Sequence, residues 1–136
     1  LDDILASEVD VLAPCALGGA INSHTINKIR AGIVAGAANN QLRTTSMGGA
    51  LLDRGILYAP DYVINAGGII DVFYQQQGER SQMVVNAHVE NIGKTLNTIF
   101  KTADVERRPT NEVADEMAQA VFGNAFASLG KLALAS

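Results

Sequence analysis

Three segments of the chain are rich in glycine, alanine and asparagine, and they carry the residue types that could bind a flat polar ligand. They are APCALGG at residues 13–19, VAGAANNQL at residues 34–42 and LYAPDYVINAGGIIDV at residues 57–72. Small residues let the backbone approach a ring closely, and an asparagine amide can donate to and accept from a carboxamide or a ribose hydroxyl. Such residues are also ordinary turn formers, so any one segment alone could be structural. Three in succession favour a ligand-binding crevice.

Each of these segments follows or contains an apolar run that we predict to be a buried strand. The three runs contain Val9, Val11 and Leu12, then Ile33, Val34 and Ala35, and then Ile56, Leu57 and Tyr58. One short helix is predicted between Asn22-Ser23, which can cap it, and Gly32, which ends it, and another over residues 47–54. Strands that alternate with helices predict a parallel sheet, at whose carboxyl edge ligands bind. The three segments should meet at that edge.

The second half of the chain has the periodicity of helices. Apolar residues at steps of four and three predict one helix face, formed by Val85, Val89, Ile92, Leu96 and Ile99. A second helix is predicted to begin at Pro109-Thr110, and its inner face should contain Val113, Met117 and Ala120 or Val121. The tail beyond Gly123 is also predicted to be helical.

The composition excludes several classes of function. A hydrophobic fraction of 48% indicates a folded globular chain. Ten basic and fourteen acidic residues give a net charge of −4 without a basic cluster, so we expect no nucleic-acid partner. No apolar run is long enough to span a bilayer, and the single cysteine fits a reducing compartment. We therefore expect a cytoplasmic protein with no membrane association.

The sequence indicates neither a reactive nucleophile nor a metal site. Cys15 has no neighbouring His or Lys that would favour its thiolate, so we expect a packing or backbone role. His24 and His88 lack the spacing of metal ligands, so both are expected at the surface and no metal is expected. Asp61 follows Pro60 and is expected to cap the helix that contains the NAGG sequence.

A glycine turn for a pyrophosphate is missing from the sequence. No GxGxxG occurs, so the residues alone predict only the ligand-binding half of an α/β domain. The chain begins with Leu1 rather than Met, and its first residues are typical of the end of a helix. We therefore expect a fragment of a larger protein.

Taken together, APDYVINAGG at residues 59–68 and GAANNQL at residues 36–42 closely resemble the Glu/Leu/Phe/Val dehydrogenase family. IGKTLNTIFKTAD at residues 92–104 is similar to the C-terminal helix of that family. The resemblance implies an α/β fold, namely a partial Rossmann-like, doubly wound and mainly parallel nucleotide-binding domain followed by C-terminal helices. Residues 1–80 would be the second part of the dinucleotide-binding domain, and residues 81–136 would be helices that pack on it. The catalytic domain of the family and its glycine turn would lie outside this chain.

The same resemblance implies an activity. The expected reaction is the reversible NAD-dependent oxidative deamination of a branched-chain L-amino acid, leucine first, to the 2-oxo acid and ammonia. Phenylalanine or valine dehydrogenase activity, or a nucleotide-binding module without catalysis, are the alternatives. NAD is the expected cofactor, although the residue that distinguishes it from NADP would lie outside the chain. The full-length enzyme is expected to be a homo-oligomer.

The resemblance also assigns roles to individual residues. The expected cofactor-binding residues are Ala13, Pro14, Cys15, Ala16, Asn39 and Asn65. Asn65 is also the expected catalytic residue, because it would hold the substrate in line with the cofactor. The expected lining of the substrate side-chain pocket is Gly67, Gly68, Ile69 and Val72. Val72 offers no hydrogen bond to a distal carboxylate and Ile69 would crowd an aromatic ring, so aliphatic substrates are expected.

Overall fold

A sheet of three parallel strands lies in the first half of the chain in the computed structural model, which describes residues 2–78 and 81–133 and the side chains of residues 4–78 and 81–123. The strands are β1 (Val11–Leu12), β2 (Ile33–Val34) and β3 (Leu57–Tyr58), in the order β1-β2-β3. In the register, Val11 is paired with Ile33, and Ile33 with Leu57. The predicted parallel α/β sheet is confirmed, with strands shorter than the apolar runs that predicted them.

The two faces of the sheet differ in burial. Successive residues of a strand point to opposite faces, and the buried face carries Leu12, Val34 and Tyr58. On the opposite face, Val11, Ile33 and Leu57 are 47%, 37% and 38% exposed. The expectation of fully buried strands is therefore wrong for this second face, because no layer of the described residues covers it.

Six helices and one 3-10 turn accompany the strands in the described part of the chain. They are α1 (Asp2–Leu5), the 3-10 turn (Ile26–Lys28), α2 (Ser46–Asp53), α3 (Asp61–Ile64), α4 (Gly67–Gln76), α5 (Gln82–Glu106) and α6 (Thr110–Ala133). The predicted short helix is thus only a 3-10 turn, and it ends before Gly32. The Asn22 Oδ1 accepts hydrogen bonds from the backbone N–H groups of His24 at 2.9 Å and Thr25 at 3.2 Å, in the turn that precedes Ile26. The N-cap of the 3-10 turn itself is Thr25, which makes no side-chain cap hydrogen bond, so the expected cap by Asn22-Ser23 lies before the 3-10 turn and not at its start.

The first hydrophobic core lies between the buried face of the sheet and the elements that connect its strands. Its buried members are Leu5, Leu12, Ile21, Ile26, Ile29, Ala31, Val34, Leu51, Ile56 and Tyr58. The Arg54 guanidinium, at the end of α2, donates to the carbonyls of Ile26 and Ile29. This link fixes α2 to the 3-10 turn across the core.

The second core joins the two long C-terminal helices. The predicted face of α5 is confirmed, because Val85 and Ile99 are buried and the three apolar residues between them are half-buried. Ile99 and Ala103 of α5 pack with Val113 and Ala114 of α6. The α6 prediction is confirmed for its start and for Val113 and Met117. It is wrong for Ala120 and Val121, which are exposed because α6 continues beyond the residues that it packs on. Residues 134–136 of the predicted helical tail lie outside the described residues.

Candidate functional site

The loops that follow β1 and β2 lie in close contact at the carboxyl edge of the sheet. The backbone N–H of Ala38 donates to the Pro14 carbonyl at 2.9 Å. A Cβ atom at Gly36 would lie 2.2 Å from the same carbonyl oxygen, so only glycine permits this approach. The Cys15 Sγ accepts a hydrogen bond from the Ala37 N–H at 3.5 Å. Cys15 is exposed, so of the two roles considered for it the structure supports a backbone contact rather than core packing.

The two asparagines that the sequence analysis selected are brought together. The Asn65 Nδ2 donates to the Asn39 Oδ1 at 2.5 Å, although 26 residues separate them in the chain. The same nitrogen approaches the Ala37 carbonyl at 3.4 Å. Asn39 lies on the loop after β2, and Asn65 lies at the bend between α3 and α4. The pair therefore links the loop after β2 to the bend between α3 and α4.

The Asp61 side chain makes hydrogen bonds within this site instead of capping a helix, which corrects its predicted role. No side-chain hydrogen bond caps α3 or α4, so the expectation that Asp61 caps the NAGG helix is wrong. Instead, the buried Asp61 Oδ2 accepts from the backbone N–H of Gln41 at 2.8 Å and from the Tyr58 hydroxyl at 2.9 Å. Burial, followed by the hydrogen bond to the Asp61 carboxylate, raises the pKa of Tyr58 above its ordinary range.

Gln41 is a structural residue of the site that sequence reasoning did not select. It is fully buried, and its Nε2 donates to the carbonyls of Gly36 at 2.7 Å and Ala38 at 3.0 Å. These bonds close the loop after β2 on itself. The only sequence signal was its position in the segment at residues 34–42, directly after the two asparagines.

An open cleft of about 630 Å³ lies beside the asparagine pair. Its lining is Ala37, Asn39, Tyr62, Ile64, Asn65, Ala66, Gly67, Ile69, Val89 and Ile92, none of which is charged. Of the four residues expected in the substrate pocket, Gly67 and Ile69 line this cleft, whereas Gly68 and Val72 do not. Val89 and Ile92 were not selected for the site. The sequence indicated only that they lie on the inner face of α5, through the apolar periodicity of that helix.

A second depression of about 500 Å³ lies along the loop after β1. It is lined by Ala13, Pro14, Cys15 and Ala16 together with apolar residues that include Ile4 and Leu17. The selected residues are therefore divided between two neighbouring depressions. The loop after β1 lines this depression and the loop after β2 lines the cleft, and the two loops are joined by the hydrogen bond from the Ala38 N–H to the Pro14 carbonyl.

Helix α6 is attached to the cleft through Tyr62. The Tyr62 hydroxyl donates to the Asp115 Oδ1 at 2.5 Å and approaches the Asn111 carbonyl at 3.2 Å. Burial and the hydrogen bond to Asp115 raise the pKa of Tyr62 above its ordinary range. Helix α5 thus contributes Val89 and Ile92 to the lining of the cleft, whereas α6 contacts the cleft residue Tyr62 without lining the cleft itself.

Neither histidine belongs to the cleft. His24 and His88 are exposed, as predicted, and the His88 ring packs edge-on against Tyr74 at 5.7 Å. Among the described residues, no group of three or more His, Cys, Asp or Glu side chains could hold a metal ion. No helix in the described part of the chain is long and apolar enough to cross a membrane.

A family model described as Glutamate/Leucine/Phenylalanine/Valine dehydrogenase matches residues 2–136. The chain belongs to this family. Among curated relatives, the chain is 44% identical to the L-tryptophan dehydrogenase of Nostoc punctiforme over 130 residues, which cover 95% of this chain and 36% of that protein. The crystal structure of the same enzyme matches with a TM-score of 0.85 over 93% of this chain and 38% of that one.

Relatives with other substrates are similar to a comparable degree. The leucine dehydrogenase of Geobacillus stearothermophilus is 42% identical over 118 residues, which cover 87% of this chain and 32% of that protein. The phenylalanine dehydrogenase of Bacillus thermotolerans is 41% identical over 116 residues, which cover 85% of this chain and 30% of that protein. The chain therefore spans about a third of the length of these relatives. The relatives are amino acid dehydrogenases, and their names do not single out one substrate.

Proposed function

We propose that this chain forms the nicotinamide-facing part of a longer NAD-dependent dehydrogenase that oxidatively deaminates an apolar L-amino acid, with branched-chain substrates such as leucine first. The observation that carries the proposal is the Asn39–Asn65 hydrogen bond at the edge of an uncharged cleft. Two side-chain amides, one from the loop after β2 and one from the bend between α3 and α4, lie beside an uncharged cleft that would suit an apolar side chain. The lengths of the relatives support the existence of further parts of the enzyme.

The residues of this chain fit one half of the dinucleotide. The Asn39 Nδ2 has no protein partner among the described residues, so it can donate to a carboxamide or a ribose hydroxyl. Where the loops after β1 and β2 meet, Gly36 contacts Pro14 directly, and positions 13, 16, 37 and 38 of these loops are alanines, so a flat ring can approach the backbone there. No glycine turn for the pyrophosphate is present in the sequence, so that half of the dinucleotide would bind to residues outside this chain. When bound, the dinucleotide would accept a hydride from the substrate α-carbon.

The role that we propose for Asn65 follows from its side-chain oxygen, Oδ1. Its Nδ2 is engaged by Asn39 and Ala37, whereas its Oδ1 has no partner in the described part of the chain. That oxygen can accept a hydrogen bond from the substrate amino group and hold the α-carbon in line. None of the residues that line the cleft is a lysine or a carboxylate, so the groups that transfer protons would come from another part of the enzyme.

The uncharged lining of the cleft supports an apolar substrate. A glutamate side chain in this cleft would leave a carboxylate unpaired, at a cost of several kcal/mol. Apolar contact with Ile69, Val89 and Ile92 suits an aliphatic side chain. An aromatic substrate is the second candidate, because relatives that act on tryptophan and phenylalanine are as similar as the leucine enzyme.

A substrate panel tests the proposal on the complete gene product, meaning the whole protein that the gene encodes. We expect kcat/KM with NAD to be highest for Leu, Ile or Val, lower for Phe and Trp, and lowest for Glu. Ile69→Ala should improve Phe and Trp relative to Leu, whereas Val105→Ala, at an exposed position of α5 outside the cleft, should leave the ratio unchanged. The best activity with Glu would refute the assignment of the cleft. The best activity with Trp or Phe would select the second candidate.

A further inference from the structure

We propose that Asp61 is a positioning residue that holds Asn39 and Asn65 in register with each other, an inference that rests on the proposed function. The two asparagines come from different strand ends, so their alignment requires a link between the loop after β2 and helix α3. Asp61 is connected to both. Its side chain contacts the first element and its main chain belongs to the second.

The main-chain half of this link leads to Asn65. Asp61 is the first residue of α3, and its carbonyl oxygen accepts the backbone N–H of Asn65 at 3.0 Å. Asn65 is therefore one helical turn from Asp61, and a shift of one moves the other. A helix of four residues has little stability of its own, so its placement depends on such contacts.

The side-chain half of the link leads to Asn39. The Asp61 Oδ2 accepts the backbone N–H of Gln41, which is two residues beyond Asn39, at 2.8 Å. Asn40, between them, has a φ of 53°, a left-handed turn conformation in which asparagine is among the most common residues after glycine. A hydrogen bond to a carboxylate is stronger than one between two neutral groups. The bond from the Gln41 N–H to Asp61 can therefore hold the backbone of this turn in place.

The arrangement around Gln41 points to a requirement beyond packing. Asp61 is only 8% exposed, and its second hydrogen bond comes from the Tyr58 hydroxyl at 2.9 Å. Gln41 is fully buried, yet its Oε1 has no hydrogen-bond partner among the described residues. A buried unpaired oxygen lowers stability, so the loop has this geometry despite a cost. Asp61 and Gln41 together fix the backbone on either side of the left-handed turn next to Asn39.

The test is a double-mutant cycle between Asp61→Ala and Asn39→Ala in the complete gene product, read out as the KM for NAD. Asp61→Ala removes the acceptor for both the Gln41 N–H and the Tyr58 hydroxyl. We expect it to raise the KM for NAD about tenfold, which corresponds to about 1.4 kcal/mol. In the Asn39→Ala background the same change should have less than about a threefold effect, because the group that it positions is absent. Equal factors in the two backgrounds would overturn the proposal.

Two further variants separate positioning from folding. In Asp61→Asn the amide oxygen can accept the same two hydrogen bonds, so we expect the KM for NAD to return to within about threefold of wild type. Asp53→Ala, at the exposed end of α2, is the matched control and should change neither the KM nor the melting temperature. If Asp61→Ala does not fold, Tyr58→Phe replaces it in the cycle. It removes the hydroxyl that donates to the Asp61 carboxylate and accepts the Asp61 backbone N–H at 3.3 Å, and it leaves the bond from the Gln41 N–H to Asp61 in place. We expect Tyr58→Phe to raise the KM for NAD less than Asp61→Ala does, and to have no effect in the Asn39→Ala background. A rise that persists in that background would refute the positioning role of Asp61.

The single variant Asn39→Ala distinguishes a failure of the proposed function from a failure of the positioning role of Asp61. If Asn39→Ala alone leaves the KM for NAD unchanged, the cofactor does not bind beside Asn39 and the proposed function is wrong on this point. If Asn39→Ala raises the KM while Asp61→Ala acts independently of it, the proposed function stands and the positioning role of Asp61 fails.

Discussion

Gly36→Ala is the substitution for which the structure predicts the clearest loss of stability at the site. An added Cβ would lie 2.2 Å from the Pro14 carbonyl oxygen and 2.5 Å from its nitrogen. Ordinary van der Waals contact begins at 3.4 Å, so the loops after β1 and β2 would have to move apart by about 1 Å. Both neighbours are backbone atoms and cannot rotate away. The cost should therefore be at the upper end of overpacking, about 3 kcal/mol.

The assay is thermal unfolding of the complete gene product, followed by calorimetry or circular dichroism. For a domain of about 150–250 residues, a loss of about 3 kcal/mol lowers the melting temperature of that domain by about 6–12 °C. Gly32→Ala is the matched control, because a Cβ there meets no atom within 4 Å. It should change the stability by no more than about 0.5 kcal/mol. If Gly36→Ala has the same melting temperature as the control and the wild type, the two loops do not approach each other as described.

Three other predictions concern Asn65, the buried Tyr58 and the exposed face of the sheet. Asn65→Ala should lower kcat/KM roughly 30- to 1000-fold, which corresponds to a rise of about 2–4 kcal/mol in activation free energy. Asn97→Ala, at an exposed position of α5, is the control and should have no effect. Because burial raises the pKa of Tyr58, its contribution to stability should be complete below pH ~10 and lost as the pH rises further; melting of wild type and Tyr58→Phe between pH 8 and 11 tests this. The isolated chain should self-associate in size-exclusion chromatography and show no turnover, since one sheet face is uncovered among the described residues and no pyrophosphate turn is present.

Each of these predictions can fail in a specific way. Near-normal kcat/KM in Asn65→Ala would remove this residue from the active site. A parallel alkaline loss of stability in Tyr58→Phe and wild type would mean that Tyr58 is not the group responsible. A monomeric isolated chain that turns over substrate would show that the pyrophosphate-binding and catalytic parts are not needed.

The sequence could predict those features that follow from periodicity and from strand ends. Alternation of apolar runs with helical segments was enough to predict the parallel sheet, and hence that Asn39 and Asn65 would lie at one edge. The steps of four and three in α5 predicted its buried face because helix geometry alone determines which side chains share a face. Even so, periodicity did not indicate that Val89 and Ile92 line a cleft, since a core and a cleft wall have the same pattern.

Features that depend on long-range geometry could not be predicted. The carboxylate of Asp61 binds a backbone N–H that is 20 residues away, and such a bond leaves no pattern in side-chain types. A local cap was the simpler expectation for an acidic residue at a helix start, and it was wrong. Likewise, the exposure of Val11, Ile33 and Leu57 depends on whether another layer covers them, which the local sequence of a strand does not encode.

The most direct test of the proposed function is a crystal structure of the complete gene product with NAD bound. We predict that the nicotinamide carboxamide or its ribose lies within hydrogen-bonding distance of the Asn39 amide. The ring should lie against the loop at residues 13–16, with the cleft beside Ile69 left open for the substrate side chain. A dinucleotide bound away from the Asn39–Asn65 pair, or a nicotinamide that fills the cleft itself, would contradict the proposal.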